Sequence, residues 1–393
     1  MHARKITDSV FLIGVVDWHR RLFDSLIPLP DGTSYNAYLI KGSEKTALID
    51  SVDPAFTDTL MEELKEVASI DYVVCHHTEQ DHSGSIPAVL AKYPKAQVLC
   101  TEKCKGFAVD HLHISPERIR AVTDNESVSL GNKTLTFVHT PWVHWPETMV
   151  TWLKEDKVLF TCDFFGSHYA TSSLFVPDEA IVYESAKRYY AEIMMPFRAT
   201  IKNNLAKVEK FDIATLAPSH GPVYDRPAFI MDAYRDWISD MPKNSLVLPF
   251  ISMHGSTAKM VDRLTTSLVE KGVEVQPFDL AATDIGKLAI SLVDAATVVL
   301  GTPTVHVGPH PMVAYAAMLA NALKPKARYV SIIGSYGWAT KAVEQLAGAI
   351  GNLKVEVVPP VLCKGLPREA DYQALDGLAA AIADKHRQQG LLG

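Results

Sequence analysis

Cysteine is scarce in this sequence, and long hydrophobic runs are missing. The 393 residues include five cysteines with no C-x-x-C pair. This pattern argues against a metal site built from paired thiolates and predicts free thiols in a reducing cytoplasm. The most apolar stretch, 305–323, is interrupted by two prolines and two histidines, so we expect no membrane span. The short run Val10–Val16 is followed by no small-residue cleavage site, so we expect no signal peptide.

Clustered positive charge is also missing. The formal net charge is −7, which argues against a nucleic-acid partner and against an anionic membrane surface. Neither G-x-G-x-x-G nor a Walker A motif occurs, so tightly bound NAD and ATP are not supported. Histidine, by contrast, is abundant: eleven of the fifteen histidines precede residue 243.

Two styles of hydrophobic patterning divide the chain. Residues 1–242 mix short apolar strands, such as Tyr72–His76 and Thr134–His139, with helical segments, such as Arg226–Ile238. Residues 243–393 alternate buried strands and helices from Ser245–Ile251 to Ala370–Gln388, which predicts parallel βαβ units. We therefore expect a first domain over 1–242 and a doubly wound domain over 243–393.

The strongest chemical signal lies in a loop that directly follows a predicted strand. His77, Glu79, Asp81 and His82 place four possible ligands within six residues. Three further candidates occupy similar positions after strands, namely His144, Asp163 and His220. Four imidazoles and three carboxylates are too many for one tetrahedral ion but suit two ions that share a bridge. Nitrogen and oxygen ligands without thiolate fit iron, manganese or zinc. A single residue of this kind is usually structural, but the set in this order favours a metal centre.

Three loops of the second portion predict a phosphate-bearing cofactor. Hydroxyl-bearing and glycine residues lead from the first strand into a helix, at Ser252, Met253, His254, Gly255, Ser256 and Thr257. Such a helix N-terminus binds phosphate, although it is also an ordinary helix cap. A second loop follows the third strand, at Pro303, Thr304, Val305, His306, Val307 and Gly308, and a third comprises Ser335, Tyr336, Gly337 and Trp338. The two aromatic residues could flank a flat ring, or could simply pack in the protein.

The order His-x-Glu-x-Asp-His, then His, Asp and His, resembles that of the flavodiiron proteins. The segment Thr140-Pro141, then His144-Trp145-Pro146, and the three loops of the second portion also resemble this family. The resemblance covers essentially the whole chain. It implies a metallo-β-lactamase-like αββα sandwich followed by a flavodoxin-like doubly wound parallel sheet that binds FMN.

The resemblance also implies ligand roles for a pair of non-haem irons. One iron is held by the equivalents of His77, Glu79 and His144, the other by those of Asp81, His82 and His220, and Asp163 bridges them. Glu79 stands where hydrolases of the same fold carry a second histidine. An anionic oxygen there favours iron over zinc and stabilises the ferric state.

The function that the resemblance implies is the reduction of O2 to water, of NO to N2O, or of both, with electrons relayed through FMN. The expected donor is external: rubredoxin, a rubredoxin-like reductase or reduced F420. The family forms head-to-tail homodimers or dimers of dimers, in which one subunit's FMN approaches the other's irons. Many members carry histidine at Asp24, and a carboxylate there would change proton supply near the gas pocket or simply face solvent.

Two other functions remain open on the residues alone. One is a binuclear zinc hydrolase of the same fold with an appended flavodoxin-like domain. The other is an FMN electron carrier with a relic metal domain. Glu79 and the three loops of the second portion argue against the hydrolase, and the complete set of seven ligands argues against the electron carrier.

Overall fold

A computed structural model describes residues 3–392. They form two compact units, one of residues 3–190 and 197–238, the other of residues 191–196 and 239–392. No helix among the described residues is both long and apolar enough to cross a membrane.

The first unit contains fourteen strands and seven helices. The strands are β1 Arg4–Lys5, β2 Val10–Asp17, β3 Leu22–Phe23, β4 Ile27–Pro28, β5 Thr33–Lys41, β6 Thr46–Ile49, β7 Tyr72–Val74, β8 Gln97–Cys100, β9 Ile119–Ala121, β10 Ser127–Ser129, β11 Thr134–His139, β12 Met149–Leu153, β13 Val158–Cys162 and β14 Thr215–Pro218. The helices are α1 Thr57–Glu63, α2 Gln80–Ser83, α3 Ile86–Lys92, α4 Glu102–Leu112, α5 Glu179–Tyr189, α6 Arg198–Val208 and α7 Pro227–Trp237.

Two sheets of this unit pack face to face. The first has the order β1-β2-β5-β6-β7-β8-β9 and the second the order β10-β11-β12-β13-β14. The core between them contains Tyr38 and Leu99 from the first sheet and Phe137 and Phe160 from the second. A separate core joins the other face of the first sheet to α1, α3 and α4. On the second sheet, Lys207 of α6 donates a hydrogen bond to the carbonyl of His139 at the end of β11. Helices thus flank both sheets, which confirms the αββα sandwich expected from the resemblance.

The loops that carry the candidate ligands leave the carboxyl ends of four strands. Residues 75–82 follow β7, His144 follows β11, Asp163 follows β13, and His220 follows β14. β13 and β14 are parallel, as are β6, β7 and β8, so their ends meet at one edge of the sandwich. Because these strands end at one shared edge, ligands that are far apart in sequence lie side by side.

The second unit is a parallel sheet covered by helices. Its strands are β15 Lys243–Phe250, β16 Glu274–Asp279, β17 Ala295–Val305, β18 Gly308–Pro309, β19 Tyr329–Tyr336, β20 Glu356–Val357 and β21 Val361–Lys364. Its helices are α8 Ser256–Glu270, α9 Ile285–Leu292, α10 Pro311–Leu323, α11 Ala342–Ala349 and α12 Glu369–Gln388.

The main sheet has the order β16-β15-β17-β19-β20, and β21 also pairs with β19. This is the 2-1-3-4-5 order of flavodoxin-like folds, in which ligands bind at the switch point between the first and third strands. The doubly wound parallel sheet is therefore confirmed. β17 extends as far as Val305 because it continues into a hairpin with β18, whose turn contains His306 and Val307.

Candidate functional site

The seven candidate ligands form two clusters that share one carboxylate. In the first, the Nε2 atoms of His77 and His144 lie 3.2 and 3.0 Å from Oε2 of Glu79. The same two nitrogens lie 3.2 and 3.1 Å from Oδ2 of Asp163. Four ligand atoms thus converge from three strand ends.

The second cluster uses the other oxygen of Asp163. Nε2 of His82 lies 2.9 Å from Oδ1 of Asp163, and Nε2 of His220 lies 3.6 Å from it. Oδ2 of Asp81 lies 3.3 Å from Nε2 of His82 and 3.2 Å from Nε2 of His220. Because its two oxygens face different clusters, Asp163 is placed as a carboxylate bridge would be.

Buried polar atoms without hydrogen bonds indicate that this site is built for cations. Both carboxylate oxygens of Asp81, Oδ1 of Asp163 and both ring nitrogens of His82 are buried and meet no partner in hydrogen-bonding geometry, although Nε2 of His82 and Oδ1 of Asp163 lie 2.9 Å apart. Leaving such atoms unpaired is costly, so native proteins pair them or use them to bind a ligand. Nitrogen and oxygen donors in this arrangement suit two transition-metal ions, and the residues present therefore fit a diiron centre.

The electrostatics of the clusters also favour positive charge. Burial would lower the pKa of His144, but Asp163 and Glu79 beside it raise the value to about 9. Burial would likewise lower the pKa of His82, but the negative charges of Asp81 and Asp163 raise it to about 9. Burial would raise the pKa of Asp163, but His82 and His77 hold it well below its usual range. In the absence of metal, the anionic carboxylates favour protonated imidazoles. Bound metal ions would replace the positive charge of those protons.

Neighbouring groups hold the ligand loops in place. Thr78 donates hydrogen bonds from its backbone N–H and hydroxyl to Oε1 of the buried Glu147, at 3.1 and 2.8 Å. Nδ1 of His220 donates to the carbonyl of Ser34 at 2.7 Å, which turns its Nε2 towards the cluster. Such outer contacts fix the tautomer and orientation of a metal-binding histidine.

His76, adjacent to the ligand loop, has a different role. Its Nδ1 lies 2.7 Å from Oδ2 of Asp50, and its Nε2 lies 2.8 Å from the hydroxyl of Thr151. Both ring nitrogens are therefore occupied by protein groups. This agrees with its omission from the predicted ligand set.

Asp24 lies in the turn between β3 and β4 at the edge of the metal site. Its backbone has a positive φ of 48° and its side chain is exposed. Partial burial raises its pKa, and the negative charges of Glu79 and Asp81 raise it further. Asp24 therefore lies close enough to Glu79 and Asp81 for their charges to act on its carboxyl group.

In the second unit, a cleft of about 180 Å³ lies at the switch point of the sheet. Its walls come from four loops and contain Met253, His254, Ser256, Thr257, Pro303, Thr304, Ser335, Tyr336, Gly337 and Gly365. Gly255 precedes α8 with a φ of 83°, a conformation that favours glycine and turns the loop onto the helix N-terminus. A helix start at the switch point fits the phosphate of FMN.

The cleft contains only part of the predicted flavin set. Nine of its ten wall residues were predicted, and the exception, Gly365, follows β21. The remaining predicted residues, Ser252, Gly255, Val305, His306, Val307, Gly308 and Trp338, do not line it. Ser252 instead accepts a hydrogen bond from the N–H of Ala258, so it caps the helix start. Gly365 carries no side-chain signal, which is why sequence reasoning missed it.

Comparisons with known proteins match each of the two units to a family. Residues 33–221 match the family described as ODP family beta lactamase, and residues 248–375 match Flavodoxin. The chain is 35% identical to a nitric oxide reductase of Moorella thermoacetica, covering 96% of this chain and 98% of that protein.

This chain belongs to the flavodiiron protein family.

Two further relatives show the breadth of this flavodiiron family. The coenzyme F420H(2) oxidase of Methanothermobacter marburgensis is 31% identical, covering 97% of this chain and 98% of that protein. The solved structure of rubredoxin oxygen:oxidoreductase from Desulfovibrio gigas is 30% identical, covers 99% of each chain and has a TM-score of 0.94. The predicted family and its oxidoreductase class are thus confirmed.

Proposed function

We propose that this flavodiiron protein reduces O2 to water, NO to N2O, or both. The observation that carries the proposal is the pair of ligand clusters joined by Asp163. When bound, FMN would supply electrons singly or in pairs, and the two irons would bind and reduce the gas. The relatives named for nitric oxide and for oxygen support both substrates.

We assign one iron to His77, Glu79 and His144 and the other to Asp81, His82 and His220, with Asp163 shared. Each set is supported by ligand atoms that lie within 4.8 Å of one another. The chain's own role is to hold these groups rigidly and to exclude bulk water. Asp163, His77 and His82 are almost completely buried.

We assign FMN to the cleft at the end of the parallel sheet. Ser256 and Thr257, in the first turn of α8, would hold the phosphate through backbone N–H groups and hydroxyls. Thr257 is buried, and its hydroxyl lies 3.2 Å from that of Ser335, which links two of the cleft loops. Tyr336 in the cleft wall and the exposed Trp338 beside it would flank the ring.

The zinc hydrolase alternative is not favoured. Glu79 lies 3.2 and 3.0 Å from the two histidines of its cluster and supplies an anionic oxygen where a hydrolase has a neutral nitrogen. The relatives reported above are named as reductases and oxidases, in agreement with electron transfer.

We further propose a head-to-tail homodimer that is reduced by an external donor. Large apolar side chains are exposed near both candidate sites: Trp18, Leu22, Leu26 and Trp142 in the first unit, and Met253 and Trp338 in the second. Exposed apolar side chains of this kind are typical of association surfaces. The names of relatives support rubredoxin or reduced F420 as the donor. Five free cysteines support a location in the reducing cytoplasm.

The decisive experiment mixes the fully reduced protein, loaded with iron and FMN, with O2 and separately with NO. We expect consumption of at least one gas over many turnovers, and the ratio of the two rates identifies the preferred oxidant. Purified protein that contains two zinc ions, lacks flavin and consumes neither gas would contradict the proposal.

A further inference from the structure

The contact behind His77 differs from the contact behind His220. His220 donates from Nδ1 to a backbone carbonyl. The Nδ1 of His77 instead lies 3.1 Å from the sulfur of Cys162. With an iron bound at Nε2 of His77, on the side of Glu79 and Asp163, the ring proton would lie on Nδ1 and the sulfur would accept it.

The local backbone holds Cys162 in this position. Cys162 is the last residue of β13, and the register between β13 and β14 shifts between Phe160 and Cys162. Its φ is 51°, a left-handed conformation that is uncommon for any residue except glycine, asparagine and aspartate. Such bulges and strained residues are enriched at functional sites, where they redirect side chains. Here they send the thiol of Cys162 and the carboxylate of Asp163 to neighbouring parts of one site.

A second buried network lies on the other side of the sulfur. Cys162 Sγ, a carboxylate oxygen of Asp50 and a ring nitrogen of His76 lie within 4.8 Å of one another. Asp50 accepts from the backbone N–H of His76 at 2.9 Å, and its other oxygen lies 2.7 Å from the His76 ring. Asp50 also has a left-handed backbone, with a φ of 55°. Cys162 is therefore held between the hydrogen-bonded pair of Asp50 and His76 on one side and a candidate metal ligand on the other, and all of these side chains are buried.

We propose that Cys162 is a positioning residue that sets the orientation and donor strength of His77 at the first iron. Sulfur is a weak hydrogen-bond acceptor. It therefore orients the imidazole ring of His77 but increases the electron density of that ring only slightly. A carboxylate or carbonyl in the same place would make the imidazole more basic and would stabilise ferric iron. Compared with such a stronger acceptor, the thiol thus favours the ferrous state, which is the state that would react with the gas. Glu79, by contrast, favours the ferric state. This inference rests on the proposed function.

The test compares Cys162→Ala, Cys162→Ser and a matched control, Cys100→Ala, in the full chain loaded with iron and FMN. Cys100 is an equally buried thiol at the end of β8. Iron affinity is measured by chelator competition, and the potential of the half-reduced state by redox titration followed by electron paramagnetic resonance.

We expect Cys162→Ala to weaken iron binding by roughly 10–100-fold, because His77 loses its orienting partner. Cys162→Ser keeps an acceptor, so it should restore iron affinity while shifting the half-reduced signal to lower potential. Cys100→Ala should match wild type in both measurements. If the alanine variant does not fold, the shift in the serine variant still decides the question.

Two results would overturn the inference while leaving the proposed function intact. The first is wild-type protein that holds two irons while the Cys162 variants match it in affinity and potential. The second is a thiolate-to-ferric absorption band that disappears in Cys162→Ser, because Cys162 would then be a ligand. Wild-type protein that binds no iron would overturn the proposed function as well.

Discussion

The two candidate sites of this molecule are built in opposite ways. The metal site consists of side chains, and His77, His82, His220 and Asp163 are at most 1% exposed. The flavin cleft is formed by residues from four separate segments of the chain, and Trp338, next to Gly337 of its wall, is 85% exposed. A buried cluster of charged groups depends on every member, because removing one leaves the others unpaired in a poor solvent for charge. A cleft formed by several loops distributes its binding energy, so single changes should matter less.

The largest effect is expected at the shared carboxylate. Asp163→Ala removes a ligand from both clusters at once and leaves four imidazoles facing each other without the central negative charge. We expect loss of most bound iron from both positions and a fall in gas consumption of at least 100-fold, with FMN retained. Iron analysis and flavin absorbance of one preparation measure both outcomes.

Asp110→Ala, at an exposed position of α4, is the matched control and should keep both cofactors. An Asp163→Ala protein that still holds two irons would show that the clusters do not share this carboxylate.

A change in the flavin cleft should have a smaller and strictly local effect. Thr257→Val removes a buried hydroxyl at the start of α8 while keeping the shape of the side chain. Loss of one hydrogen bond of about 1 kcal/mol should weaken FMN binding by less than about tenfold. The measurement is fluorescence titration of the flavin-free protein with FMN.

Thr266→Val is the control on the same helix, where the hydroxyl bonds only to the helix backbone. Equal FMN affinity in Thr257→Val and Thr266→Val would remove Thr257 from the cofactor site. Iron content should not change in either variant, and a decrease would contradict the independence of the two sites.

The sequence identified the metal site more fully than the flavin site because of this difference in construction. Ligand chemistry is restricted to a few residue types, so the motif at 77–82 and the single residues His144, Asp163 and His220 could be recognised without a structure. The roles of Cys162 and Ser34 could not, since they depend on which groups the folded loops bring behind each histidine. Gly365 enters the cleft through backbone geometry alone.

The same reasoning explains the strands and helices. β11 begins and ends where its apolar pattern predicts, at Thr134 and His139, because Gly131 and Asn132 precede it and Pro141 follows it. α4 was not predicted, because its sequence has weak amphipathic spacing and it buries only Cys104, Ala108 and Leu112. Packing against the first sheet stabilises this helix, which local sequence does not reveal.

Acid should destabilise the second unit through a histidine remote from the cleft. His386 is buried, its Nε2 lies 2.8 Å from the Thr297 hydroxyl, and its Nδ1 lies 2.8 Å from the Asn244 side-chain oxygen. Burial lowers its pKa to about 4, below the ordinary value of 6.5. The stabilisation is therefore complete above pH 6.5 and is lost as the pH falls to 4, because the unfolded chain then binds the extra proton.

This loss amounts to at most about 3 kcal/mol for the whole interval. Urea unfolding followed by the release of FMN fluorescence should show it as a falling midpoint between pH 6.5 and 4.5. His386→Gln, which cannot titrate, should have a lower but flatter profile. Parallel slopes in the two proteins would assign the acid sensitivity to other groups.

The smallest effect is expected at the entrance to the metal site. Asp24 is exposed and is not one of the ligands, so Asp24→Asn should leave iron and FMN content unchanged. Its raised pKa keeps the carboxyl protonated to a higher pH than usual, so it can act as a proton donor over a wider range, and the amide cannot donate in the same way. We expect a loss of turnover of less than about tenfold in steady-state assays with each gas, greatest at low pH, where the wild-type carboxyl carries the proton. Unchanged rates across the pH range would leave Asp24 as a solvent-facing turn residue.

The sharing of Asp163 between two ions is tested most directly by electron paramagnetic resonance of the iron-loaded protein after addition of one electron per iron pair. A carboxylate that bridges the irons couples their spins, so we predict a single mixed-valent signal that is absent from the fully oxidised protein. Separate signals of isolated high-spin ferric ions, unchanged in Asp163→Ala, would contradict the arrangement of the site described above.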